Sequence, residues 1–150
     1  MAEKIKVWEP IKELSGRYWL DKLFFENTKF YFIFKKDKEK STEVHIICEG
    51  GLPSYKYTNE SYSFDRTFVH FDGENRAYTL HSWCFYTIED SPYLTSISKD
   101  SAGTSDIIGV KHYCIIGEDE ILDIIYPPEP VVELYVDRKL VQSSATRHSE

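Results

Sequence analysis

The stretch IIGVKHYCIIGEDEILDIIYPPEPVVELYV, residues 107–136, decides the fold. It holds three apolar runs, at 110–116, 121–126 and 131–136, each rich in β-branched residues. Gly117-Glu118-Asp119-Glu120 separates the first two, and Pro127-Pro128-Glu129-Pro130 separates the last two. Runs this short between breakers read as strands, and the four-residue gap reads as a hairpin. Both faces of the middle run are apolar except at Asp123, the pattern of a strand inside a sheet covered on both sides. The region is also acidic: between positions 87 and 136 only Lys99 and Lys111 oppose ten carboxylates.

Upstream of this stretch, residues 89–103 carry the best helix signal. Asp90 or Ser91 can cap, Pro92 fits the first turn, and Gly103 can end it. Before it, residues 64–71 and 76–88 read as strands joined at Asp72-Gly73, a hairpin dipeptide. Residues 54–63 form a loop with room for an edge strand, after the break at Gly50-Gly51-Leu52-Pro53. Residues 17–26, 29–36 and 43–48 read as a three-strand antiparallel meander, because their connections are short and polar. Pro10 and Gly16 bracket a short helix at 8–16. Beyond Asp137 no periodicity remains, so residues 137–150 read as a frayed tail on a single domain spanning 1–136. The expected class is α+β: a mostly antiparallel curved sheet, or partly open barrel, of about seven to eight strands with one or two short helices.

A chain of 150 residues with 23 aromatics can build one large core, and exposed aromatics favour binding faces. Its three cysteines are an odd number, and the first residues show no apolar leader. Both point to a cytoplasmic protein with free thiols and no membrane association. A net charge of -7 disfavours contact with nucleic-acid phosphates and favours basic partners. His45 with Cys48, and His81 with Cys84, are three apart. On a strand such pairs point to opposite faces and cannot chelate one ion; only His112 and Cys114 share a face. No metal or cofactor is expected, and no phosphate loop or nucleophile elbow is present.

Several residues invite a function. Asp123, flanked by Leu122, Ile124 and Ile125, must be paired, hydrogen-bonded or outward-facing. Tyr55 and Tyr57 sit in a polar segment suited to exposure. The run from Trp83 to Tyr93, then Lys111-His112-Tyr113, Glu120 with Asp123-Ile124-Ile125, and Glu129-Pro130 with Val132-Glu133 resembles small uncharacterised bacterial proteins of the toxin-immunity kind. The resemblance spans residues 83–133 and includes no catalytic motif. Independently of that resemblance, the concentration of carboxylates at 87–136 and the missing catalytic signature point to an acidic protein-binding inhibitor, an immunity protein neutralising a basic bacterial toxin such as a nuclease. Glu118, Asp119, Glu120, Asp123, Glu89, Asp90, Tyr55 and Tyr57 are then the candidate partner-binding residues. Two alternatives stand beside it: a β-barrel holding a small molecule in an aromatic cavity, and a small hydrolase or isomerase using His81, His70 and a carboxylate. A filled core argues against the barrel, whereas His and Asp side chains converging in a cleft would favour the enzyme.

Overall fold

The structure, a computed structural model, describes residues 3–52, 54–59, 66, 68–70, 82–100, 102, 109–127 and 129–145. Among these residues eleven strands and one helix follow in order: β1 Glu3–Val7, β2 Tyr18–Glu26, β3 Lys29–Lys36, β4 Glu39–Glu49, β5 Ser54–Asn59, β6 Phe68–His70, β7 Phe85–Glu89, α1 Pro92–Asp100, β8 Lys111–Ile116, β9 Glu120–Tyr126, β10 Val131–Val136 and β11 Lys139–Ser143. They form two sheets, ordered β5-β9-β8-β7-β1-β6 and β11-β10-β4-β3-β2. The expected α+β, mostly antiparallel character holds. The single barrel does not, because each sheet ends in edge strands and the chain divides its strands between two layers.

The deciding stretch accounts for that division. β8 and β9 pair through the Gly117–Glu120 turn, with Cys114 opposite Asp123 and Ile116 opposite Ile121. β10 leaves them and pairs with β4 in the other sheet, Leu134 opposite Val44. The proline-rich break at 127–130 is therefore a crossover between layers, suited to residues that cannot extend a ladder.

Alternation fixes what each face buries. Phe32, Phe34, Val44, Ile46, Val132 and Leu134 point inward from one sheet and meet Phe85, Tyr113, Ile115, Leu122 and Ile124 from the other. Phe85 packs edge-on against Tyr18 at 5.4 Å and Phe34 at 6.2 Å. The other face of the six-stranded sheet, with Ile5, Tyr86, Ile88, His112, Cys114 and Asp123, is also buried. Helix α1 contacts that face, the Tyr93 ring lying edge-on to His112 at 5.5 Å. A strand covered on both sides explains why β9 lacks alternation.

The structure corrects four expectations. Residues 8–16 are irregular, since Glu13 adopts a left-handed φ of 66° that an α-helix cannot contain. Trp8, Ile11 and Leu14 are nevertheless buried in the core. β4 begins at Glu39, four residues before the expected start at 43, so the connection is the two-residue turn Asp37-Lys38. The hairpin expected at Asp72-Gly73 falls outside the described residues; the described ends of its two segments, β6 and β7, are not neighbours. β1 lies between β6 and β7, parallel to the first and antiparallel to the second. The tail is also not wholly frayed: β11 pairs with β10 across Asp137-Arg138, whose φ values of 51° and 68° make a tight hairpin. An exposed edge strand of mixed polarity has no apolar period to detect.

Candidate functional site

Asp123 is fully buried on β9, the strand next to edge strand β5, and it is bonded to Arg66 and His112, with Glu3 and Ser91 behind them. Arg66 Nη1 donates to its Oδ2 at 2.6 Å and Nη2 to its Oδ1 at 2.7 Å. The other side of the same guanidinium holds Glu3, through Nε to Oε1 at 2.5 Å and Nη2 to Oε2 at 3.0 Å. The Phe68 ring lies 5.0 Å below the guanidinium. His112 Nε2 stands 2.6 Å from Asp123 Oδ1, and Nδ1 stands 2.6 Å from Ser91 Oγ. A carboxylate only accepts, so the hydrogen bond between Asp123 and His112 is donated by His112 Nε2. Ser91 Oγ also accepts the Leu94 N–H at 2.9 Å, which caps α1 as the sequence indicated. Burial acts to raise the Asp123 pKa, but the hydrogen bonds and charges of Arg66 and His112 outweigh it and hold the carboxyl well below the usual range. Burial pushes the neighbouring Cys114 thiol well up.

Serine, histidine and aspartate in a chain are the groups of a hydrolytic triad. Here they are sealed, with Ser91 at 5%, His112 at 1% and Asp123 at 0% exposure. The ring is also reversed relative to that mechanism, with the acid on Nε2 and the serine on Nδ1. The serine lone pair faces a helix N–H, and the acid is shared with Arg66. This arrangement ties β1, residue 66, α1, β8 and β9 together, and as built it offers no substrate a reacting atom. Asp123 therefore cannot touch a partner, which removes it from the expected docking residues. His81 and the side chain of His70 lie outside the described residues.

The exposed candidates fall into two groups. Tyr57 Oη donates to Glu120 Oε1 at 2.9 Å, so the second tyrosine of β5 and the acidic hairpin share one surface. Glu118 and Asp119 stand exposed in the turn beside Glu120. Tyr55 meets Phe30 at 6.0 Å and Phe32 at 5.8 Å, while Phe30 meets Phe25 at 4.7 Å. Phe25, Tyr55 and Tyr57 remain 57%, 41% and 48% exposed. A strip thus runs from carboxylates at one end to open aromatic rings at the other. Glu89 and Asp90 are not part of it. Glu89 ends β7 and Asp90 follows it at the opposite end of the sheet, where Ile88 pairs with His112, roughly 17 Å away along six residues of strand. Asp90 there pairs with Lys4 at 3.0 Å.

The hairpin is held rigidly. Glu120 Oε2 accepts the Leu20 N–H at 2.5 Å, so one carboxylate both presents charge and caps a backbone amide of edge strand β2. Gly117 passes so close to β2 that a Cβ there would lie 2.9 Å from the Tyr18 carbonyl oxygen. Recesses of about 750 Å³ beside α1 and about 280 Å³ around Lys6, Thr87 and Lys111 have no described Phe or Tyr in their linings. No described helix is long and apolar enough to cross a membrane.

Arg66, Glu3 and Ser91 were the members of the buried network that sequence reasoning left without a network role. A usable signal existed: an aspartate inside an apolar strand demands a cation, and the chain has only five arginines. Comparison with known proteins adds no identity to this geometry, since no family model matches the chain and no curated protein or solved structure is significantly similar to it.

Proposed function

We propose that this chain is a protein-binding module of the inhibitor kind, taking a basic protein partner on the strip formed by Glu118, Asp119, Glu120, Tyr57, Tyr55 and Phe25. The observation that supports it is the Tyr57–Glu120 hydrogen bond, which joins exposed aromatic rings to a fixed carboxylate cluster. Aromatic anchors beside charge are what alanine scanning finds at the centres of interfaces, and complementary charge accelerates encounter. The Ser91, His112 and Asp123 side chains are sealed, which weighs against hydrolysis at that chain, and buried side chains from both sheets pack against one another, which weighs against the ligand-holding barrel. A partner of the basic nuclease-toxin type fits this strip, because a site that holds phosphates is itself cationic. The test is association with purified basic nucleases of that type, measured at low and high salt for the native chain and for Tyr57→Ala. Native association that weakens steeply with salt and is lost in Tyr57→Ala is the expected result. Association equal in both proteins would remove the strip from the interface.

A further inference from the structure

The outer face of the five-stranded sheet is a second surface, made by other residues. Cross-strand partners share a face, so its rows follow from the register. Trp19, Lys35, Glu43, Tyr135 and Leu140 form one row, and Lys22, Ile33, His45 and Glu133 the next. Phe24, Tyr31, Ile47 and Val131 form the third. Phe24 stacks on Tyr31 at 4.7 Å and 12°, and His45 lies on Tyr135 at 4.3 Å. Trp19, Phe24 and Leu140 are 38%, 37% and 44% exposed. Helix α1 contacts the other sheet, at β8.

Size and charge both bear on what could cover this face. Five strands of five to eleven residues, spaced about 4.8 Å apart, span roughly 20 by 25 Å at their mean length. Once corrugated by side chains, that is close to the ~800 Å² per partner of a standard stable interface. On this face Lys22, Lys29 and Lys35 outnumber Asp21 and Glu26 on β2 and β3, Lys35 being paired with Asp21 at 4.0 Å, whereas Glu43, Glu49 and Glu133 stand on β4 and β10. A face with a basic half and a more strongly acidic half is complementary to itself. A two-fold axis lying along β4, the central strand, turns the basic half of one copy onto the acidic half of the other. Closed two-fold pairing of identical patches is also the commonest form of oligomer.

We propose that the outer face of this sheet is a homodimer interface, sheet packed on sheet about a two-fold axis parallel to β4. It is independent of the partner strip, which lies on the β5 and hairpin side. Sedimentation equilibrium of the full chain over a wide concentration range tests it. The expected mass rises toward twice 17.6 kDa. Lys22→Glu with Lys35→Glu makes both halves acidic and weakens self-association about tenfold or more, since like charges then meet. Adding Glu43→Lys and Glu133→Lys to that variant inverts the pattern and restores the dimer. Phe24→Ser, which removes an exposed ring without altering charge, serves as the second variant, with melting curves to verify folding. A native chain that stays at 17.6 kDa throughout overturns the proposal. So does a dimer unaffected by these substitutions, or one that dissociates in Glu118→Ser with Asp119→Ser, because the interface would then lie elsewhere.

Discussion

At the scale of single residues, the side chain the sequence marked most clearly was Asp123, and its partner was the least visible. An acid among Leu122, Ile124 and Ile125 announces that a counter-charge exists. Nothing in pattern or spacing says that the charge is Arg66, 57 positions away in a segment without periodicity. Removing one member of a buried pair leaves the other unpaired, which costs about 3–5 kcal/mol. Arg66→Met should therefore unfold the chain at markedly lower denaturant, measured by equilibrium denaturation. The Asp123 pKa is lowered in the folded state, so its contribution is fully present above about pH 4, the ordinary carboxylate value. That contribution is lost as pH falls further toward the folded value. Asp123→Asn should consequently show a flatter decline of stability below pH 4 than the native chain, whatever its stability at neutral pH. The cysteines belong to the same scale. Burial pushes Cys48 up to about 12 and Cys84 up to about 11, with Cys114 also raised. A thiol reagent at neutral pH should thus find no reactive cysteine in the folded chain and three after denaturation.

At the scale of elements, legibility followed burial. β3, β8, β9 and β10 were readable because each buries one or both faces, which writes either alternation or a continuous apolar run into the sequence. β1, β5 and β11 were not, being short or at a sheet edge, where side chains answer to solvent and composition stays mixed. The bracketing of residues 8–16 by Pro10 and Gly16 misled for a related reason: Trp8, Ile11 and Leu14 sit at near-helical spacing, yet tertiary burial holds them without a helix. Truncation after Val136 tests what β11 contributes. It removes a strand, the Ser144 contacts with Val132 N and O at 2.8 Å each, and the Gln142 bond to the Lys12 N–H at 3.0 Å. A loss of about 2 kcal/mol would lower the melting temperature of a chain this size by roughly 4–8 °C. An unchanged melting temperature would show that β11 only rests on its neighbour. Gly117→Ala should also destabilise, by about 1–3 kcal/mol, because its Cβ would lie 2.9 Å from the Tyr18 carbonyl oxygen, a backbone atom, as well as 3.0 Å from Glu120 Cγ.

At the scale of the whole molecule, the sequence could sum charge but could not say which charges stand together. The carboxylates of residues 87–136 look like one acidic region in one dimension. In the fold, Asp123 is buried, and Glu118 and Asp119 stand at one end of the sheet. Glu89 and Asp90 stand at the other end, Asp90 paired with Lys4. Glu120 divides its role between surface and scaffold, since losing its bond to the Leu20 N–H leaves a part-buried amide unsatisfied at a cost of about 1–3 kcal/mol. These placements separate two charge-removing variants of equal size. Glu118→Ser with Asp119→Ser should leave the stability within about half a kcal/mol of native, because both side chains are exposed. It should slow association with a basic nuclease partner and flatten the dependence of that rate on salt, as removal of rim charge does. Glu89→Ser with Asp90→Ser changes the net charge by the same amount. If overall charge alone steered the encounter, the two variants would slow it equally. If the strip is the docking surface, the second keeps a near-native rate, because a site roughly 17 Å away is screened beyond a Debye length of about 8 Å at physiological salt. Equal slowing in both would leave long-range attraction as the whole effect and withdraw the hairpin from the interface.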